Sequence, residues 1–150
     1  MFLITGCPRS GTSYMAELLN KHNIDVGDEK HAKDGIVSCW FAVDTRIVQP
    51  WSLDGNVFSS YKFDTILHQV RHPLECISSC VTALHSKSWN YFSHFVPLDT
   101  NNLLYKSMLL WYYWNVKCEE ISTWTFRVEA INDVYEELSL RIGQPRLLKK

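Results

Sequence analysis

The sequence predicts an α/β fold in three layers, a central parallel sheet flanked by helices on both faces. Three observations carry this expectation. An apolar run at residues 2–5 passes through a glycine-containing loop into a stretch with helical periodicity. A second apolar run, Thr65–Val70, leads straight to a proline at a helix-start position. The alternation of strand and helix then recurs toward the C-terminus, and strands joined through helices pair in parallel. With 150 residues, 46% of them hydrophobic, the chain suits a single domain over residues 1–150 with a substantial core.

Taken in order, Phe2–Thr5 reads as a short strand buried on both faces, followed by the loop Gly6–Gly11. Met15, Leu18 and Leu19 are spaced to face a core, so a helix is expected from about Thr12 to His22. Ile24–Val26 is expected to be a second strand, ending at Gly27. Asp34 stands as the cap of a helix carrying Ile36, Val37, Trp40 and Phe41, and residues 51–60 read as loop. Thr65–Val70 is the strongest strand signal, and the helix begun by Pro73 runs to about His85. Residues 86–100, aromatic and polar without period, read as a loop or lid. A long helix from Leu103 to about Cys118, a strand at Thr123–Val128 and an amphipathic helix at Ile131–Ile142 complete the pattern.

Charge and cysteine content limit the function classes. Fifteen basic and 16 acidic residues give a formal net charge of −1, which disfavours a sequence-wide polyanion binder and makes DNA or RNA a poor partner; an anion site must be local. The five cysteines form no CxxC pair, so no disulfide framework is expected and a reducing, cytoplasmic compartment fits. No Cys/His cluster has zinc-ligand spacing, so no metal is expected; Cys76 and Cys80 share one helix face as buried thiols. The apolar start is too short for a signal peptide, and the run Leu109–Trp114, flanked by Lys106 and Lys117, is too short to span a membrane.

The chemistry concentrates at Gly6-Cys7-Pro8-Arg9-Ser10-Gly11-Thr12-Ser13, between a strand and a helix. Glycines at both ends permit a tight turn whose amides converge on an anion, and the helix start adds its positive dipole end. Arg9 supplies charge, while Ser10, Thr12 and Ser13 supply hydroxyls. The spacing is that of a phosphate loop, GxxxxGK[ST], with Thr12 in place of the lysine that reaches the β- and γ-phosphates of a triphosphate. The strand Thr65–Val70 ends in Arg71, where a phosphoryl-transfer enzyme would carry a carboxylate for magnesium. Both departures point to a metal-independent anion site of P-loop-like type and away from a nucleotide kinase.

At Pro8-Arg9-Ser10-Gly11-Thr12-Ser13-Tyr14 the sequence resembles the sulfotransferase family, in its short bacterial and viral type. The resemblance implies 3′-phosphoadenosine-5′-phosphosulfate (PAPS) as co-substrate and no metal. Pro8, Arg9, Ser10, Gly11, Thr12 and Ser13 would hold the 5′-phosphosulfate, with Arg9 at the bridging oxygen. The family's 3′-phosphate element is an arginine at a strand end with a serine eight residues on, which Arg71 and Ser79 match. Ser78, the neighbouring alternative, points about 100° away around the helix.

The acceptor's base must reach the loop mouth, which favours the segment after the second strand. Gly27-Asp28-Glu29 resembles the Gly-x-Glu of several branches, making Glu29 the expected catalytic base; His31 is the alternative, since the cytosolic branch uses histidine. Asp34-Gly35-Ile36-Val37-Ser38-Cys39-Trp40 is similar to a following family motif but one residue longer, and Asp28 stands where histidine is usual. Arg127-Val128-Glu129 extends the likeness to about residue 142, with Glu129 in a structural role. The family's C-terminal donor-closing segment, rich in Arg, Lys and Gly, has no counterpart. Trp89–Phe92 on the expected lid is the better candidate for stacking on an acceptor, whereas Trp111–Trp114 reads as core. His68 is expected in the core and His72 near the nucleotide. The sequence leaves the acceptor open among small molecules, carbohydrate, lipid and protein, and the rival of another class is a non-catalytic nucleotide-binding module.

Overall fold

The protein is described by a computed structural model that covers residues 1–40 and 62–144. The expectations for Phe41 and residues 51–60 lie outside the described residues. The elements are β1 (Phe2–Thr5), α1 (Thr12–Lys21), β2 (Val26–Asp28), β3 (Gly35–Val37), β4 (Thr65–Val70), α2 (Pro73–Ala83), α3 (Ser86–Ser93), α4 (Leu103–Ile121), β5 (Trp124–Arg127) and α5 (Ile131–Arg141). A single 3-10 turn, Val128–Ala130, joins the last two.

The strands form one sheet in the order β2-β3-β1-β4-β5, and every pair is parallel. Parallel sheets need cover on both faces, and β1, at the centre, is buried along its whole length. On one face Phe2 and Ile4 pack with Met15 and Leu19 of α1 and with Ile131 and Leu138 of α5. The other face is covered by α2, α3 and α4, whose Cys76, Cys80, Phe92, Leu110 and Trp114 form a second cluster. Three layers result, as the sequence predicts. Asn102 starts α4 by accepting the Tyr105 amide at 3.0 Å. Among the described residues no helix is long and apolar enough to cross a membrane.

Two expectations are corrected. The stretch after Asp34 is strand β3, not a helix. β-Branched Ile36 and Val37 pack in the sheet, and Asp34 ties strand starts together: its carboxylate accepts the Asp25 amide at 2.8 Å and its carbonyl the Phe2 amide at 3.2 Å. Residues 86–100 contain helix α3, and Trp89, Tyr91 and Phe92 are buried. Trp40 stacks on Phe92 with centroids 5.1 Å apart, and Phe92 meets Trp114 edge-on at 5.0 Å. These rings fasten the end of β3 to α4, while Trp89 borders a surface pocket with Asn90 and Lys106. Smaller shifts move the second strand to Val26–Asp28 and extend α4 to Ile121.

The strand order fixes where a ligand crevice opens. The chain leaves β1 toward one edge of the sheet, through α1 to β2, and leaves β4 toward the other edge, to β5. Connections that diverge in this way open a crevice at the carboxyl ends of the two central strands. The loop after β1 and the start of α2 after β4 flank it.

Candidate functional site

The turn after β1 is built against β4. Gly6 lies so close to the Gln69 carbonyl that any Cβ there would collide with it. The buried Gln69 side chain reaches back and donates from Nε2 to the Ser10 carbonyl at 2.9 Å. Ser10 in turn donates its amide to the Cys7 carbonyl at 3.0 Å. Its hydroxyl is buried beside Gly6 with no partner among the described residues, so Ser10 shapes the turn and does not face outward. Pro8 is also buried, whereas Arg9 and Ser13 are exposed. Gly11 precedes α1 in a left-handed conformation, and no side chain caps that helix among the described residues. The first-turn amides, from Thr12 on, therefore remain to be satisfied from outside.

Arg9 also holds a left-handed conformation, with φ 70°. Its carbonyl accepts from Arg71 Nη1 at 3.2 Å, and its own Nε donates to Ser79 Oγ at 2.9 Å. The loop arginine, the strand-end arginine and the α2 serine thus meet at one place, although Arg9 and Ser79 are 70 residues apart in sequence. Ser79, not Ser78, makes that contact, as the helix phase requires. Arg71 also pairs with Glu75 one helical turn on, at 3.3 Å. Its neighbour His72 is exposed, and the His72 amide donates to Glu129 at 2.5 Å. Burial acts to raise the Glu129 carboxyl, but that bond, the Glu129 amide and the nearby Arg127 outweigh it and hold it below the usual range. Glu129 therefore braces the start of α2 against β5.

Glu29 occupies the same rim on the other side of β1. Gly27 permits a tight turn here, because a Cβ would collide with the Lys30 carbonyl. Glu29 itself sits at φ 56° and donates its amide to the Val37 carbonyl at 3.0 Å. Its carboxylate turns inward, accepting a short hydrogen bond from the Ser38 hydroxyl and one from the Cys39 amide at 3.2 Å. Ser38 in turn donates its amide to the Ile4 carbonyl at 2.9 Å, which places this pair beside the end of β1. Burial outweighs the hydrogen bonds and pushes the Glu29 carboxyl up to about 7. His31 is exposed two residues further on.

Three non-glycine residues among those described have positive φ: Arg9, Asn23 and Glu29. Such conformations cost roughly 1–3 kcal/mol each and collect at functional sites. Two of the three are residues singled out from the sequence. His68 is a core residue as expected, bonded through Nε2 to Asn115 Oδ1 at 2.9 Å. Sequence reasoning missed Gln69, whose role depends on a contact across strands. It also missed that Ser38 would anchor Glu29. Comparisons with family models, with curated proteins and with solved structures find no match to this chain.

Proposed function

We propose that the chain is a PAPS-dependent sulfotransferase of P-loop-like fold, acting on an acceptor hydroxyl or amine in the cytoplasm. The observation that carries the reading is the meeting of Arg9, Arg71 and Ser79 across the β1/β4 crevice, with a half-buried carboxylate of raised pKa on the same rim. A nucleotide bridging the crevice would set its 5′-phosphosulfate over the turn and the start of α1, where Gly11, Thr12 and Ser13 offer amides and hydroxyls. Its 3′-phosphate would displace Glu75 from Arg71 and take Ser79 as a second donor. Arginine suits this task because it can donate two parallel hydrogen bonds to one phosphate.

The chemistry then asks little covalent work of the protein. The acceptor oxygen or nitrogen attacks sulfur, and the bond from sulfur to the 5′-phosphate oxygen breaks. The departing electron pair stays on the phosphate, whose growing charge Arg9 stabilises. Glu29 takes the acceptor's proton. A carboxyl at about 7 is partly ionised at neutral pH and basic enough to serve. Small-molecule, carbohydrate and protein acceptors all satisfy this scheme.

The test is transfer of labelled sulfuryl from PAPS to a panel of alcohols, phenols, amines and sugars. Turnover without added metal, lost in Glu29→Gln and kept in His31→Ala, is expected. Turnover that survives Glu29→Gln would remove Glu29 as base, and no transfer to any acceptor despite tight nucleotide binding would support the non-catalytic module instead.

A further inference from the structure

Behind the turn the fold gathers three thiols that are dispersed in the sequence. Cys7 belongs to the turn itself, while Cys76 and Cys80 lie one helical turn apart on α2, and the three Sγ atoms are within 4.8 Å of one another. Each of these residues is 0% exposed, and none is in a disulfide. The Pro8 carbonyl faces the same space, 3.3 Å from Cys76 Sγ and 3.5 Å from Cys80 Sγ. Three sulfurs around one ion, with metal–sulfur bonds of about 2.3 Å, lie about 4 Å apart in a trigonal plane. The cluster needs only a small contraction to reach that arrangement.

We propose that Cys7, Cys76 and Cys80 form a trigonal thiolate site for copper(I). The donor set decides the metal. A structural zinc ion takes four ligands from Cys, His and carboxylates, and no His, Asp or Glu belongs to this group among the described residues. All-sulfur coordination by three ligands suits a soft monovalent d10 ion. Binding exchanges three S–H protons, released to solvent, for three copper–sulfur bonds, with no change of oxidation state. The product carries a net charge of −2, and the Arg9 and Arg71 guanidiniums, both close enough to act on Cys76, offset it. This inference does not depend on the sulfotransferase reading.

The experiment is anaerobic titration of the reduced 150-residue chain with copper(I) against a competing chelator, followed by thiolate-to-copper absorption in the near ultraviolet and by X-ray absorption at the copper edge. One equivalent bound with a shell of three sulfurs at a single distance is expected. Cys7→Ser and Cys80→Ser are each expected to lose that equivalent, whereas Cys118→Ser, a buried thiol outside the group, keeps it. A shell of two sulfurs, a shell dominated by nitrogen or oxygen, or equal loss in Cys118→Ser would overturn the assignment. So would displacement of copper by equimolar zinc(II). The X-ray absorption arm needs only the unaltered chain, so a shell other than three sulfurs overturns the assignment even if a serine variant fails to fold.

Discussion

The carboxyl rim of the sheet is charged in two different ways. At the β1/β4 crevice it carries Arg9 and Arg71, which reach outward and bond to each other's surroundings while remaining at least partly exposed. Above β2 and β3 it carries Glu29, whose half-buried carboxylate is folded onto Ser38 and the Cys39 amide. Guanidinium keeps its charge at any accessible pH and is weakly hydrated, so it suits a place that must stay positive while open. A carboxylate withdrawn from water becomes titratable near neutrality. Under the proposed function, this difference in solvent access suits one region to holding an anion and the other to moving a proton.

Several changes separate these regions. The largest effect is expected from Glu29→Gln, which keeps the side chain's shape but cannot accept a proton. Turnover should fall by about 10²–10⁴-fold, while nucleotide affinity measured by calorimetry stays unchanged. The pH dependence of unfolding comes next. The Glu29 carboxyl rises from 4.5 to about 7 on folding, so the folded state holds its proton more tightly than the unfolded chain. The associated stabilisation, ~3 kcal/mol from the size of the shift, is complete below about 4.5 and is lost as the pH rises through about 7. Denaturant melts across that window should show the loss, and Glu29→Gln should abolish this component. Turnover should run the opposite way, climbing toward a plateau above pH 7, since the base works ionised.

A change at the crevice has a narrower signature. Arg71→Ala removes charge-assisted hydrogen bonds of about 1.5–3 kcal/mol each, or roughly 10- to 150-fold in affinity. The loss should fall on 3′-phosphorylated nucleotides and spare nucleotides without that phosphate. The smallest effect is a control that touches neither region: Asn102→Ala removes the α4 cap and should cost about 1 kcal/mol of stability, with turnover and nucleotide affinity intact.

The parts of this arrangement that were legible in the sequence are those in which a local pattern carries its own meaning. Gly6 to Ser13 between an apolar run and a helical period specifies a strand, a tight turn and a helix start, and β1, the turn and α1 follow in that order. Thr65–Val70 followed by Arg71 and Pro73 is equally local. β3 failed because Gly35–Val37 is too short to display a period, and an aspartate before apolar residues reads as a helix cap. α3 failed because its eight residues interleave buried Trp89, Tyr91 and Phe92 with exposed serine, lysine and asparagine, which blurs the pattern. Contacts made by folding were beyond any such reading. Nothing near Gln69 announces a bond to Ser10, and Cys7 shows no relation to Cys76 and Cys80 until α2 packs against the turn.

The most direct test of the proposed anion site is calorimetry with 3′-phosphoadenosine-5′-phosphate and with ATP, each with and without magnesium. Tighter binding of the 3′-phosphorylated nucleotide, indifferent to magnesium, is expected, with the preference erased by Arg71→Ala. Tighter binding of ATP that requires magnesium would contradict it.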